Sequence, residues 1–240
     1  MTNFLEHVAG IQNEADDDIL GYDFTDDTLV YDFDQIIKRS HTHTFNDTDL
    51  SEIIGHLWDF GYPEVYIAGG SVRRTLEGKI DLSETDIDFF FIDQQQYEAT
   101  RRFIQAQDSC LDSETNDVVN FSVSIRMANK QPITNKTFKF QLIKNRYYRT
   151  VGDLLDSFDF TICQFATGRD RKLYVGPYSL WDLGRKKLAV NRITFPVSSM
   201  RRMIKYTTQG FTACNGCMQT ILQTTVEQPH LLNTRFQYID

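Results

Sequence analysis

Residues 65–92, VYIAGGSVRRTLEGKIDLSETDIDFFFI, decide how the rest of the chain is read. Tyr66, Ile67 and Ala68 form a short apolar run that stops at Gly69-Gly70, the pattern of a buried strand ending in a tight turn. Paired glycines let the backbone turn sharply and approach a ligand closely. Ser71 is positioned to cap a short helix whose first N–H groups would hold an anion such as a phosphate. A second strand opens with Asp86-Ile87-Asp88. Side chains alternate along a strand, so both carboxylates project from one face while Ile87 points to the other. Two acids facing a phosphate-sized turn suit Mg²⁺ (or Mn²⁺), a cation that takes one or two carboxylates and completes its shell with substrate phosphate oxygens.

The remaining elements surround that unit. Residues 48–60 predict a helix, with Leu50, Ile53, Ile54, Leu57 and Trp58 as its apolar stripe and Gly61 as its stop. Phe89, Phe90, Phe91 and Ile92 make the Asp-Ile-Asp strand apolar on both faces, as in a covered central strand. A helix is expected over 94–107, strands over 118–127 and 137–143, and a strand over 160–166 that forms a hairpin with 172–175. Residues 196–210 read as a helix with Pro196 in its first turn and Gly210 at its end, placing Met200, Met203, Ile204 and Thr207 toward the core.

Composition narrows the class. The chain has 240 residues, 41% hydrophobic and 13% aromatic, enough for one large domain with a full core. No apolar run approaches the roughly 18 residues of a membrane span, and 1–18 lack a basic-then-apolar leader. Four cysteines suit a reducing compartment, so the expected location is cytoplasmic, with no membrane partner. Net charge is −8, unevenly spread. Residues 1–60 carry 14 Asp/Glu against 2 Lys/Arg, and 136–205 carry 15 Lys/Arg against 5 Asp/Glu. A basic face that attracts a polyanion and simple pairing with the acidic flank both fit that asymmetry. His41-Thr42-His43 and Cys214-Asn215-Gly216-Cys217 each offer two ligands, short of the three or four that a zinc site needs.

Gly69-Gly70-Ser71-Val72-Arg73 followed by Asp86-x-Asp88 resembles the head of the nucleotidyltransferase superfamily, nearest the branch of CCA-adding enzymes and bacterial poly(A) polymerases. Phe158-Asp159-Phe160-Thr161-Ile162 is similar to that branch's Arg-Asp-Phe-Thr-Ile segment, which lines the nucleotide pocket. Trp181-Asp182-Leu183 with Lys186-Lys187-Leu188 resembles the stretch that closes the head, and 199–211 resembles the Arg-rich helix that begins the neck. The resemblance spans roughly 60–212. It implies an α+β fold: a polymerase β-like head with a mixed, largely antiparallel sheet flanked by helices, plus a short C-terminal helical neck. The expected division is an acidic arm or edge element over 1–47, a head over 48–194 and a neck over 195–240.

The implied reaction transfers a nucleoside monophosphate from an NTP, ATP or CTP, to an acceptor hydroxyl, with an RNA or tRNA 3′ end as the implied acceptor. Asp86, Asp88 and Asp159 are the implied catalytic residues, and Asp86 and Asp88 hold the metal. Gly69, Gly70, Ser71, Arg73, Arg201, Arg202 and Lys205 are the implied nucleotide-binding residues. The sequence departs from the family in four places: Ser157-Phe158 replace the basic residues before Asp159, Gln141 stands where a third acid is expected, the base-selecting Glu-Asp-x-x-Arg motif is absent, and Arg74 stands where the family usually has an Asp. Gln141 and the missing arginine before Asp159 keep open a catalytically degenerate binding module, and the lack of the family's RNA-holding domains keeps open a transferase acting on a protein or small molecule. The short length and missing body domain resemble a minimal phage or viral form.

Overall fold

The computed structural model describes residues 29–32, 53, 65–78, 82–127, 134–170 and 172–230. Its centre is an eight-stranded sheet. The strands are β1 (Leu29–Asp32), β2 (Tyr66–Ala68), β3 (Asp86–Phe90), β4 (Ser109–Glu114), β5 (Val118–Met127), β6 (Thr134–Ile143), β7 (Phe165–Thr167) and β8 (Lys172–Val175). Their spatial order is β1-β8-β7-β2-β3-β6-β5-β4. Within this sheet only β3 and β6 run parallel; every other pairing is antiparallel. The expected mixed, largely antiparallel sheet is therefore present. Two-residue strands β9 (Lys187–Leu188) and β10 (Thr212–Ala213) pair separately.

The helices are α1 (Gly70–Leu76), α2 (Gln94–Gln105), α3 (Val151–Asp156), α4 (Ser179–Arg185), α5 (Pro196–Thr208) and α6 (Asn215–Glu227). α1 follows β2 directly and leads by a 3₁₀ turn, Leu82–Glu84, into β3. Ile67, Val72, Ile87, Phe89, Phe140, Leu142, Phe160 and Phe165 are fully or almost fully buried and share one core cluster. Burying each such side chain contributes roughly 1.5–3 kcal/mol, and this anchors the turn and the acids to a rigid sheet. The mid-helix Ile53 is buried in the same core; the rest of the expected 48–60 helix lies outside the described residues. So do His41, His43 and the 1–47 arm, except β1, which is the sheet edge paired to β8.

Three local expectations differ from the structure. Ser71 does not cap α1: Gly69 occupies the N-cap position without a side-chain bond, and Ser71 is buried with its hydroxyl lacking a partner among the described residues. The 160–166 strand is shorter. Thr161–Cys163 form a 3₁₀ turn, fixed by Thr161 Oγ1 donating to the buried Asp182 carboxylate at 2.6 Å, and the hairpin pairing with β8 begins only at Phe165, Phe160 making a single bridge to Val190. Ile204 is 59% exposed, because α5 turns Ser199 and Tyr206 inward with Met200 and Met203 at the margin.

Candidate active site

β3 sets the two acids. Asp86 and Asp88 are both partly exposed and flank the fully buried Ile87, so the alternation read from the sequence holds. β2 runs antiparallel beside them, with Ala68 opposite Asp88, and this brings the Gly-Gly turn to the carboxylates. A Cβ placed on Gly69 would lie 3.9 Å from Asp88 Oδ2 and 3.4 Å from Phe158 Cε1. Gly69 has φ +81°, a conformation in which other residues are strained. Phe158 covers Gly69, whereas the space around Gly70 is open. Asp86, Asp88, Gly69 and Gly70 line one cavity of about 260 Å³, large enough for part of a nucleotide.

Another part of the wall comes from α5, the loop before it and the 157–163 segment. Asp159 is buried; its Oδ2 accepts from Ser199 Oγ at 3.0 Å and from Arg202 Nη1 at 2.8 Å. Asn191 and Arg192 both donate their backbone N–H to the Asp159 carbonyl. Burial alone would lower the pKa of Arg202, but the Asp159 carboxylate outweighs it and holds the guanidinium firmly charged. Deeper in the wall, burial pushes the Cys163 thiol up to about 11, with Asp159 adding to the effect, and the thiol donates to Tyr206 Oη at 3.1 Å. Cys163 is therefore a packing group at neutral pH, not a nucleophile.

Arg73 is only 1% exposed and lines the cavity. Its Nη2 donates to Gln209 Oε1 at 2.6 Å. Its guanidinium carbon lies 5.1 Å from the Tyr206 ring centroid and 4.9 Å from that of Phe211. Arg202 and Lys205 line the cavity, while Arg201 is exposed and Ser71 is buried, and neither of these two lines it. Gln141 pairs in register with Asp88 on the neighbouring strand and donates from Nε2 to Asn120 Oδ1 at 3.0 Å. It is not among the residues that line the cavity, and its amide is bonded into the sheet.

Sequence reading missed Arg146, Arg192, Tyr148, Phe195 and Gln209 on the cavity wall. Arg146 stacks on Tyr148 at 5.3 Å, and Tyr148 and Phe158 each meet Phe90 edge-on. The basic-aromatic run Lys144 to Arg149 was the available signal. For a divalent cation the residues present fit an open site: two carboxylates on one face beside a backbone turn that leaves room for phosphate oxygens. Among the described residues no cluster of three or more His, Cys, Asp or Glu side chains forms a closed cage. No helix among them is long and apolar enough to cross a membrane.

A sequence model described as "Gad2: Gabija anti-defense 2 family protein" matches residues 35–186. No curated protein sequence matches the chain. Among solved structures, a Thermotoga maritima CCA-adding enzyme complexed with tRNA is 20% identical, with a TM-score of 0.54 over 86% of this chain and 48% of that one. CCA-adding enzyme structures with CTP (18% identity, TM-score 0.56) and with ATP (19%, 0.55) each cover 86% of this chain and 47% of theirs. The chain thus spans about half the length of these enzymes, and it has their nucleotidyltransferase fold.

Proposed function

The chain belongs to the Gabija anti-defense 2 family, and from its nucleotidyltransferase fold and the cavity just described we propose that it is a divalent-metal-dependent nucleotidyltransferase. The observation that carries this reading is Asp86 and Asp88 on one strand face, sharing a cavity with the Gly69-Gly70 turn. In the reaction an acceptor oxygen attacks the α-phosphorus of an NTP. A new P–O bond forms, the bond to the bridging oxygen of the β-phosphate breaks, pyrophosphate leaves with that bond's electron pair and the acceptor's proton passes to solvent. Asp86 and Asp88 would hold the Mg²⁺ ions, which make an acceptor hydroxyl more acidic and offset charge on the leaving group.

The chain's own residues supply position and charge. The Gly70 backbone faces open space where outer phosphates fit, and Arg73 adds a buried positive charge beside it. Asp159, held by Arg202 and Ser199, is a nucleotide-positioning group in this reading, one step removed from the metal. Arg202 and Lys205 face the nucleotide from α5, which begins the proposed neck over 195–240. ATP or CTP as donor and an RNA 3′ end as acceptor are proposed by analogy with the CTP, ATP and tRNA complexes of the CCA-adding enzymes. The family's description further supports use of this chemistry against Gabija defence.

The test is incubation of the pure protein with Mg²⁺, labelled NTPs, total RNA and lysate protein. Label is expected in one acceptor fraction. Asp86→Asn and Asp88→Asn are expected to fold normally and to lose at least about a hundredfold in transfer. EDTA is expected to abolish it. In cells carrying Gabija, the wild-type chain is expected to suppress defence and Asp88→Asn to fail. A second reading, a nucleotide-binding module without turnover, is favoured by Gln141 beside Asp88 and by the Arg202 pairing of Asp159. NTP binding with no label in any fraction, and Gabija suppression that survives Asp88→Asn, would select it.

A further inference from the structure

Arg73 sits in the helix after the Gly-Gly turn, yet most of its contacts lie about 130 residues away. Gln209 and Tyr206 belong to the end of α5, and Phe211 follows it. The charge balance around it is incomplete. Glu77 Oε2 is 3.9 Å from Arg73 Nε, but the same carboxylate also pairs with Lys186 Nζ. The Lys186 ammonium lies 4.8 Å from the Phe211 centroid, so one ring is in contact with two cations. Two cations thus share one carboxylate, and Arg73 Nη1 is buried without a hydrogen-bond partner among the described residues. A buried cation with an unused donor is costly unless an anion completes it.

We propose that Arg73 couples anion occupancy of the cavity to docking of the α5–β10 junction on the head. The inference rests on the nucleotide-binding reading above and deepens it. A phosphate oxygen accepting from Nη1 neutralises the surplus charge and fixes the guanidinium plane. The fixed plane favours the Gln209 bond and the Tyr206 and Phe211 contacts. By linkage, a well-docked junction raises anion affinity by the same factor. Arg73 is a positioning residue for the junction, and its planar fork is what a lysine lacks.

The test uses the full chain and inorganic pyrophosphate without Mg²⁺, so no turnover intervenes. Hydrogen exchange is read at the Phe211 and Thr212 amides, which donate to the Tyr206 and Lys186 carbonyls. In wild-type protein and in Asp86→Asn/Asp88→Asn, saturating pyrophosphate is expected to slow exchange there by about fivefold or more. Gln209→Met and Phe211→Leu are expected to lose that protection and to bind pyrophosphate more weakly by a matching factor. Arg73→Lys is expected to keep part of the binding and none of the protection. A purely structural role would lower the basal protection of these variants but leave its response to pyrophosphate intact. Pyrophosphate binding without protection at the junction, or protection unchanged in Gln209→Met and Phe211→Leu, overturns the coupling alone. No pyrophosphate binding at all overturns both the coupling and the phosphate site. Binding and protection without label transfer leave the coupling standing and remove the transferase reading.

Discussion

At the scale of single residues, the two glycines of the turn have different jobs. Gly69 holds a backbone conformation that costs an alanine roughly 1–3 kcal/mol to adopt. Its added Cβ would meet Phe158 only at an ordinary 3.4 Å contact, so the backbone conformation carries the cost. Gly69→Ala is therefore expected to lower the melting temperature by several degrees and to weaken nucleotide binding with it. Gly70 lies in α1 without a positive φ, and a Cβ added there would meet nothing within 4 Å. Gly70→Ala is expected to leave the melting temperature within a degree or two, or to raise it slightly, because alanine favours helix by up to about 1 kcal/mol. If phosphates approach this backbone, the same methyl intrudes on them, and the affinity for NTP falls by about tenfold or more. Unchanged affinity in Gly70→Ala would move the phosphates elsewhere. The acid pair was legible in the sequence because strand alternation is a local rule. The setting of Arg73 was not, because its bonding partner is 136 residues distant.

At the scale of elements, what was readable depended on how local the cause is. β3 is marked by its own apolar residues, and α2 by Tyr97, Phe103 and Ile104 on its inward face. The turn at 161–163 was misread as strand because its cause, the buried Asp182, comes from α4. On α5 Met200 and Met203 pack against the core as expected, but Ile204 and Thr207 are exposed, because contacts with Asp159 and Arg73 turn Ser199, Arg202 and Tyr206 toward the cavity. Two elements carry predictions of their own. α3 begins with a reciprocal capping box: Thr150 accepts from Asp153 N and Asp153 from Thr150 N. Thr150→Ala is expected to cost about 1 kcal/mol in denaturant unfolding. α2, β4 and the end of β6 meet at Glu114, which accepts from Arg101 and Lys144. Those two cations hold its carboxyl down at about 2 from an ordinary 4.5. A depressed carboxyl contributes stability above its unfolded pKa and loses it as pH falls through its folded one. The contribution is thus complete above about pH 4.5 and gone near pH 2. Glu114 is about a third exposed, so solvent screening limits it to less than about 1 kcal/mol. Glu114→Gln is expected to lower stability slightly at pH 7 and to flatten its fall between those two pH values.

At the scale of the whole molecule, charge decides what the cavity attracts. The chain is acidic overall, at −8, yet the cavity wall carries Arg73, Arg74, Arg146, Arg192, Arg202 and Lys205 against Asp86, Asp88 and Asp159. Part of the basic 136–205 segment is taken up by local pairs, Arg192 with Asp156 and Lys144 with Glu114. Four of the segment's cations, Arg146, Arg192, Arg202 and Lys205, line one concave surface, and low-dielectric walls focus its field outward. The segment's sign was plain in the sequence. Its convergence was not, because Arg146 and Arg192 come from two separate loops and Arg202 from a helix, and only the folded sheet brings them together. A triphosphate approaching such a wall is steered from beyond contact range, over a Debye length of about 10 Å at 0.1 M salt. Raising salt from about 50 mM to about 500 mM shortens that length roughly threefold. NTP affinity is then expected to fall by about tenfold, mostly through slower association, while the affinity of the uncharged nucleoside stays level. Stopped-flow binding of a fluorescent NTP and its nucleoside across that salt range separates the two terms. Equal salt dependence for both ligands would mean that the basic wall serves the fold and not the ligand.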